Sequence, residues 1–187
     1  MATTKAVDKW KMKQWFDVYA PKEISGDVIG SIPAGDEKAV VGRIMKVSLN
    51  WITHNPNHSY TMVGLRVSDA NGNVANTDVD YLAQQNSYLH SLVKRRADAV
   101  YTFDTVKSKD GASIRLKLLV TTRIKVARKI KTNLRKAVTK FVSGYVGAEN
   151  KNDFIKSLVT GELQAEGAKM LSQVAPVAKV EIKRIEF

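Results

Sequence analysis

A period of two between apolar and polar positions sets in after Ala39. "VVGRIMKVSL" (Val40 to Leu49) mixes β-branched residues with alternation and predicts a strand, which "NPNH" (Asn55 to His58) interrupts. "SYTMVGLRVSDANGNVANTDV" predicts a hairpin: Thr61, Val63, Leu65 and Val67 share one face, and Asn71-Gly72 supplies the turn. "YLAQQNSYLHSLVKRRA" then reads as a helix that turns Leu82, Leu89, Leu92 and Val93 to a core. A second hairpin follows, "AVYTFDTV" and "SIRLKLLVTTRI", turning at Asp110-Gly111. In its return strand Ile114, Leu116, Leu118, Val120 and Ile124 share one face; Arg115, Lys117 and Arg123 share the other.

From Val126 the apolar spacing changes to steps of three and four. Val126, Ile130, Leu134, Ala137, Val138, Phe141 and Tyr145 fall on one arc of a helix. Two shorter helices are predicted in "NKNDFIKSLVTG" and "ELQAEGAKMLSQVA". Pro176 ends the helical part, and "AKVEIKRIEF" alternates as a last strand.

The first 39 residues carry no such period. Pro21, Gly26, Gly30, Pro33 and Gly35 interrupt any long element, yet Trp10, Trp15, Phe16 and Tyr19 are costly to leave in water. They predict an extended N-terminal arm over 1–39 whose aromatics dock on something, followed by a single domain over 40–187. Many strands with helices apart from them predict an α+β fold. It is expected to be a small β-barrel or strongly curled mixed sheet flanked by helices.

Charge adds a direction. The 187 residues carry a net charge of +12. The excess is local: residues 26–90 are net −2, whereas residues 111–140 hold ten Lys or Arg and no acid. Arg128, Lys129, Lys131, Arg135 and Lys136, with Lys140, fill the helix face opposite the apolar arc. A merely solvated helix mixes signs to gain i,i+4 pairs, and this one forgoes them all. Arg115, Lys117, Arg123 and Lys125 extend the patch, and Lys94-Arg95-Arg96 forms a second cluster at the end of the preceding helix. The pattern points to phosphate. An anionic membrane is the competing partner of a basic amphipathic helix. Here the apolar arc is needed to close a core over the hairpins, which favours nucleic acid. The aromatic arm inclines the reading to RNA, whose unpaired bases stack on Trp and Tyr.

Catalytic signals are lacking. The chain has no cysteine, no phosphate-cradling glycine loop and no nucleophile elbow. His54 and His58 have the i,i+4 spacing of zinc ligands, but Pro56 between them denies the helix that would align them. Asp78, Asp80, Asp104 and Asp110 read as solvated turn residues. No apolar run approaches ~18 residues, so no membrane span is predicted. A soluble intracellular protein is expected, a non-enzyme without cofactor, metal or small-molecule substrate.

Five stretches in collinear order resemble one family. They are "KQWFDVYAPKEI", "VGRIMKVSLNWI", "YLHSLVKRRADAV", "KSKDGASIRLKLLVTTRIKVARK" and "PVAKVEIKRIE". Together they resemble the small-subunit ribosomal protein family eS-one (S-three-Ae), in its compact archaeal form. Departures lie at Gln85-Asn86, Asn50-Trp51 and Val177-Ala178. The resemblance implies a structural constituent of the cytoplasmic ribosome, on the small-subunit platform near the messenger RNA exit. The implied contacts are the 3′ region of small-subunit ribosomal RNA and neighbouring platform proteins. Carried over by position, the implied RNA contacts are Lys13, Lys22, Arg43, Lys94, Arg95, Arg96 and the cations from Arg123 to Lys136. A free-standing RNA-binding or RNA-processing factor is the alternative.

Overall fold

The computed structural model describes residues 10–187. It is a mixed α+β fold in which one eight-stranded sheet is flanked by helices. The strands are β1 (Gln14–Tyr19), β2 (Val28–Ala34), β3 (Ile44–Ser48), β4 (Thr61–Asn71), β5 (Val74–Gln84), β6 (Ala99–Lys107), β7 (Ser113–Thr122) and β8 (Val177–Glu186). The helices are α1 (Leu49–Thr53), α2 (Asn86–Leu92), α3 (Arg128–Ala148), α4 (Lys151–Thr160) and α5 (Glu162–Leu171).

The sheet branches at β5. One edge of β5 pairs antiparallel with β4 along its length. The other edge is shared: Val74 to Asn76 pair parallel with β1, and Tyr81 to Ala83 pair antiparallel with β8. From β8 the sheet continues to β7 and β6; from β4 it continues to β3; β2 pairs with β1. The expected barrel does not close, because β3 and β6 never meet. The unpaired edge strand β6 is managed instead by packing α3 against it.

The second difference lies in the arm. Residues 1–9 of that expected segment are outside the described residues. From Gln14 to Ala34 the chain is not an arm but a hairpin built into the sheet. Phe16, Val18 and Ala34 join Val40, Val67, Ala70 and Ala75 in a small core of their own. Phe16 and Val18 alternate with exposed Trp15 and Asp17, so a period of two is present. It is only too short, at six residues, to stand out between Pro and Gly.

The main core lies between the inner sheet face and helices α3 to α5. Ile114, Leu116, Leu118 and Val120 of β7 meet Leu134, Val138, Val142 and Val146 of α3, together with Phe154, Leu158, Leu163 and Leu171. Ile124 is not among them; the strand ends at Thr122, and Ile124 is exposed. The helix expected from Tyr81 starts at Asn86, since Tyr81 to Ala83 are claimed by ladders on both edges of β5 and Gln84 by β4. Tertiary pairing thus overrides a locally helical pattern. Gly64 faces Tyr81 in the β4–β5 ladder, and a Cβ there would stand 2.1 Å from the Tyr81 ring. Only glycine lets that ring lie across the neighbouring strand.

One carboxylate is buried in the sheet. Glu181 accepts hydrogen bonds from Gln84 Nε2 (2.7 Å) and Tyr88 Oη (2.9 Å), and pairs with Lys179 Nζ at 2.6 Å. These partners replace the water that the carboxylate loses, as a buried charge requires. The Tyr88 ring stacks on Tyr60 at 4.9 Å, which ties α2 to the start of β4.

Candidate nucleic-acid interface

The α3 stripe at 134, 138, 142 and 146 is fully buried, so the helix has one orientation on the sheet. That orientation turns Arg128, Lys129, Arg135, Lys136 and Lys140 to solvent. Arg123 and Lys125, in the connection from β7, are exposed as well. No ion pair engages any of these seven among the described residues. The helix also has no side-chain N-cap and no acid in its first turn. Cations near the positive end of a helix dipole are unfavourable, so the local sequence opposes its own helix start.

Asp98 offsets part of that cost. Its Oδ1 pairs with Lys131 Nζ at 2.9 Å, and its Oδ2 accepts from the Val126 backbone N–H at 2.9 Å. Its backbone binds Thr122 at both N–H and C=O. The Lys131 hydrogen bond, and then the Val126 N–H, hold the Asp98 carboxyl below its ordinary value. Lys131, read from the sequence as part of the cationic face, is therefore half-buried and engaged inside the chain.

The remaining candidates are scattered. Arg115 and Lys117 lie on the outer face of β7, opposite Leu116 and Leu118, and so on the other side of the sheet from α3. Arg115 lies 3.8 Å from Glu186, and Lys117 Nζ sits 5.1 Å from the centre of the Phe103 ring. Lys94, Arg95 and Arg96 are exposed in the turn after α2, with Arg96 left-handed at φ 64°. Arg43 donates to the Pro33 carbonyl at 3.0 Å, tying β2 to the approach of β3. Lys13 is exposed with its ammonium 4.1 Å from the Trp10 ring centre, and Lys22 is exposed between β1 and β2. The patch read as one surface over 115–140 thus divides between two sides of the sheet.

Sequence reasoning missed a group on the outer face. Tyr101 and Phe103 of β6 are exposed, and Lys183 Nζ lies 5.3 Å from the Tyr101 ring centre. The alternation of "AVYTFDTV" carried the signal: Tyr101 and Phe103 oppose Val100 and Thr102. The alternation of "AKVEIKRIEF" also opposes Lys183 to Ile182; its reach to Tyr101 was not legible, because strand pairing and the bulge in β8 set that neighbour.

The histidines take no part in a cluster. His54 is exposed and closes α1 in a left-handed conformation. The His58 Nδ1 is hydrogen-bonded to Thr53 Oγ1 at 2.8 Å, and burial pushes its pKa down. Among the described residues no three His, Asp or Glu side chains converge as a metal site. Among them, too, no helix is long and apolar enough to cross a membrane.

Comparison with known proteins agrees with the collinear motifs. The model of the ribosomal S3Ae family matches residues 1–187. Small ribosomal subunit protein eS1 of Methanococcus vannielii is 30% identical over 181 residues, covering 97% of this chain and 82% of the relative. The eS1 proteins of Staphylothermus marinus and Pyrobaculum neutrophilum are each 29% identical, covering 94% and 96% of this chain and 82% and 81% of the relatives. A match along the entire chain, with archaeal relatives aligned over most of their own length, means that the chain belongs to the ribosomal S3Ae family.

Proposed function

We propose that the chain is a structural constituent of the small ribosomal subunit, working in the cytoplasmic ribosome and binding ribosomal RNA through the outward face of α3. Family membership and the relatives' names support the ribosomal role. The single observation that carries the RNA contact is the acid-free row of exposed cations from Arg123 to Lys140 on a fully anchored helix. Such cations position a phosphate backbone rather than read bases. The finer reading is the one the family implies: the 3′ region of the small-subunit RNA, on the platform near the messenger RNA exit, beside neighbouring platform proteins. No catalytic step is assigned to the chain. A membrane partner is disfavoured, since the apolar stripe that lipid would need is spent in the core.

Salt tests the contact. With about seven phosphates neutralised, the slope of log K against log salt for single-stranded RNA is about −5, or roughly a 10³-fold loss between 50 and 200 mM. The triple variant Arg128→Glu, Arg135→Glu, Lys136→Glu should fold, flatten that slope and fail to enter small subunits. Lys131 is left alone because its change would unpin Asp98. A salt-independent wild-type affinity, or normal assembly of the triple variant, would overturn the reading.

A further inference from the structure

The RNA reading leaves the outer face of β6, β7 and β8 without a role. Tyr101 is 48% exposed and Phe103 61%, two residues apart on one strand and pointing the same way. Their Cα atoms are separated by about 7 Å along the strand, against the 3.4 Å rise of stacked bases in one strand of a duplex. Two adjacent rings at that interval suit bases pulled apart from each other, not a continuous stack.

Each ring has an ammonium over it, which a stacking base would displace. Lys117 stands directly opposite Phe103 in the β6–β7 ladder, 5.1 Å from the ring centre. Lys183, the extra residue of the β8 bulge, reaches to 5.3 Å from Tyr101. Of the other cations of this face, Arg115 and Arg184 meet Glu186 and Lys179 meets Glu181, while Lys107, at the far end of β6, is exposed without an ion pair among the described residues. Lys117 and Lys183 meet no carboxylate among the described residues. Beside Tyr101 on the same face its ladder partner Leu119 is fully buried without belonging to either core. The surface therefore offers two aromatic rings, each with an ammonium that meets no carboxylate among the described residues, and the carboxylates of Glu181 and Glu186 are both occupied.

We propose that this face is a second RNA site: a platform on which two consecutive unpaired nucleotides stack, one on Tyr101 and one on Phe103, with Lys117 and Lys183 taking their phosphates. The inference rests on the RNA reading above and extends it to single-stranded nucleotides. The location is suited to it. β6 is the free end of its sheet branch, and α3 is fastened to that same strand region through Asp98–Lys131 and through Thr139 Oγ1 to Asp104 Oδ1 at 2.8 Å. Ridge and platform thus lie on opposite sides of the sheet at the same edge strand. Stacking tolerates any base, so little sequence preference is expected.

The test compares two probes on the full chain: a ten-nucleotide unpaired oligouridylate and a duplex RNA of equal charge. Tyr101→Ala/Phe103→Ala should lose about 10-fold or more in affinity for the unpaired probe. Duplex affinity and the salt slope should be unchanged. Tyr101→Phe/Phe103→Tyr should bind the unpaired probe as the wild type does. Should the alanine pair fold poorly by its melting curve, Tyr101→Leu/Phe103→Leu keeps the apolar cover, removes the π faces, and should show the same loss. If ringless variants bind the unpaired probe as tightly as the wild type, or lose both probes equally, the platform is refuted while the ridge stands. If the wild type binds neither probe in a salt-dependent way, the RNA reading itself fails.

Discussion

Asp98 shows how one residue sets the geometry of a surface it does not belong to. Its carboxylate holds Lys131 and the Val126 N–H, and its backbone holds Thr122, so the path from β7 into α3 is fastened at three points. Because these contacts favour the ionised form, the folded pKa lies below the ordinary value of 3.8. The sign follows: the contribution is present above the unfolded pKa and is lost as pH falls through the folded one. Asp98→Asn should therefore lower the urea midpoint at pH 7, and the gap to wild type should narrow as pH drops below about 5. A gap of constant size from pH 7 to pH 2.5 would remove Asp98 from this role.

At the scale of the element, α3 divides its labour between two faces. Leu134 is fully buried among β7 and the other helices. Leu134→Ala should cost about 2–5 kcal/mol of stability. Lys136 is exposed and unpaired among the described residues, so Lys136→Ala should change stability by within about 0.5 kcal/mol. RNA affinity should follow the opposite order once the leucine variant is held under folding conditions: weakened by the lysine change and nearly unaffected by the leucine change. Urea titration and filter binding on the same samples measure both. The strands divide similarly. In β7, Leu116 and Leu118 face the main core, while Arg115 and Lys117 face outward on the side away from α3. Two cationic stretches adjacent in sequence therefore serve different surfaces.

Across the whole molecule, the net charge of +12 coexists with a well-packed interior because the excess stands on anchored elements. Self-repulsion among such cations destabilises a compact chain until an outside polyanion neutralises them. A protein built this way should track with small subunits at close to one copy each. Quantitative co-sedimentation through a sucrose gradient measures that number. A substoichiometric amount that washes off in moderate salt would favour a free-standing RNA-binding factor.

Much of this was legible along the chain. The two long hairpins, their turns at Gly72 and Gly111, the amphipathic α3 and the last strand follow from periods of two and 3.6. Burial on one face imposes those periods locally. The cationic face of α3 was legible for the same reason, since a helix that buries one arc must expose the other. What only the tertiary structure decided depends on contacts between residues far apart. Such contacts joined Gln14–Ala34 to β5, kept Tyr81–Gln84 extended and left the sheet open beside α3. Lys131 went to Asp98 and Lys183 to Tyr101 because pairing register and a bulge place them there. A linear pattern holds the period of an element but not its neighbour.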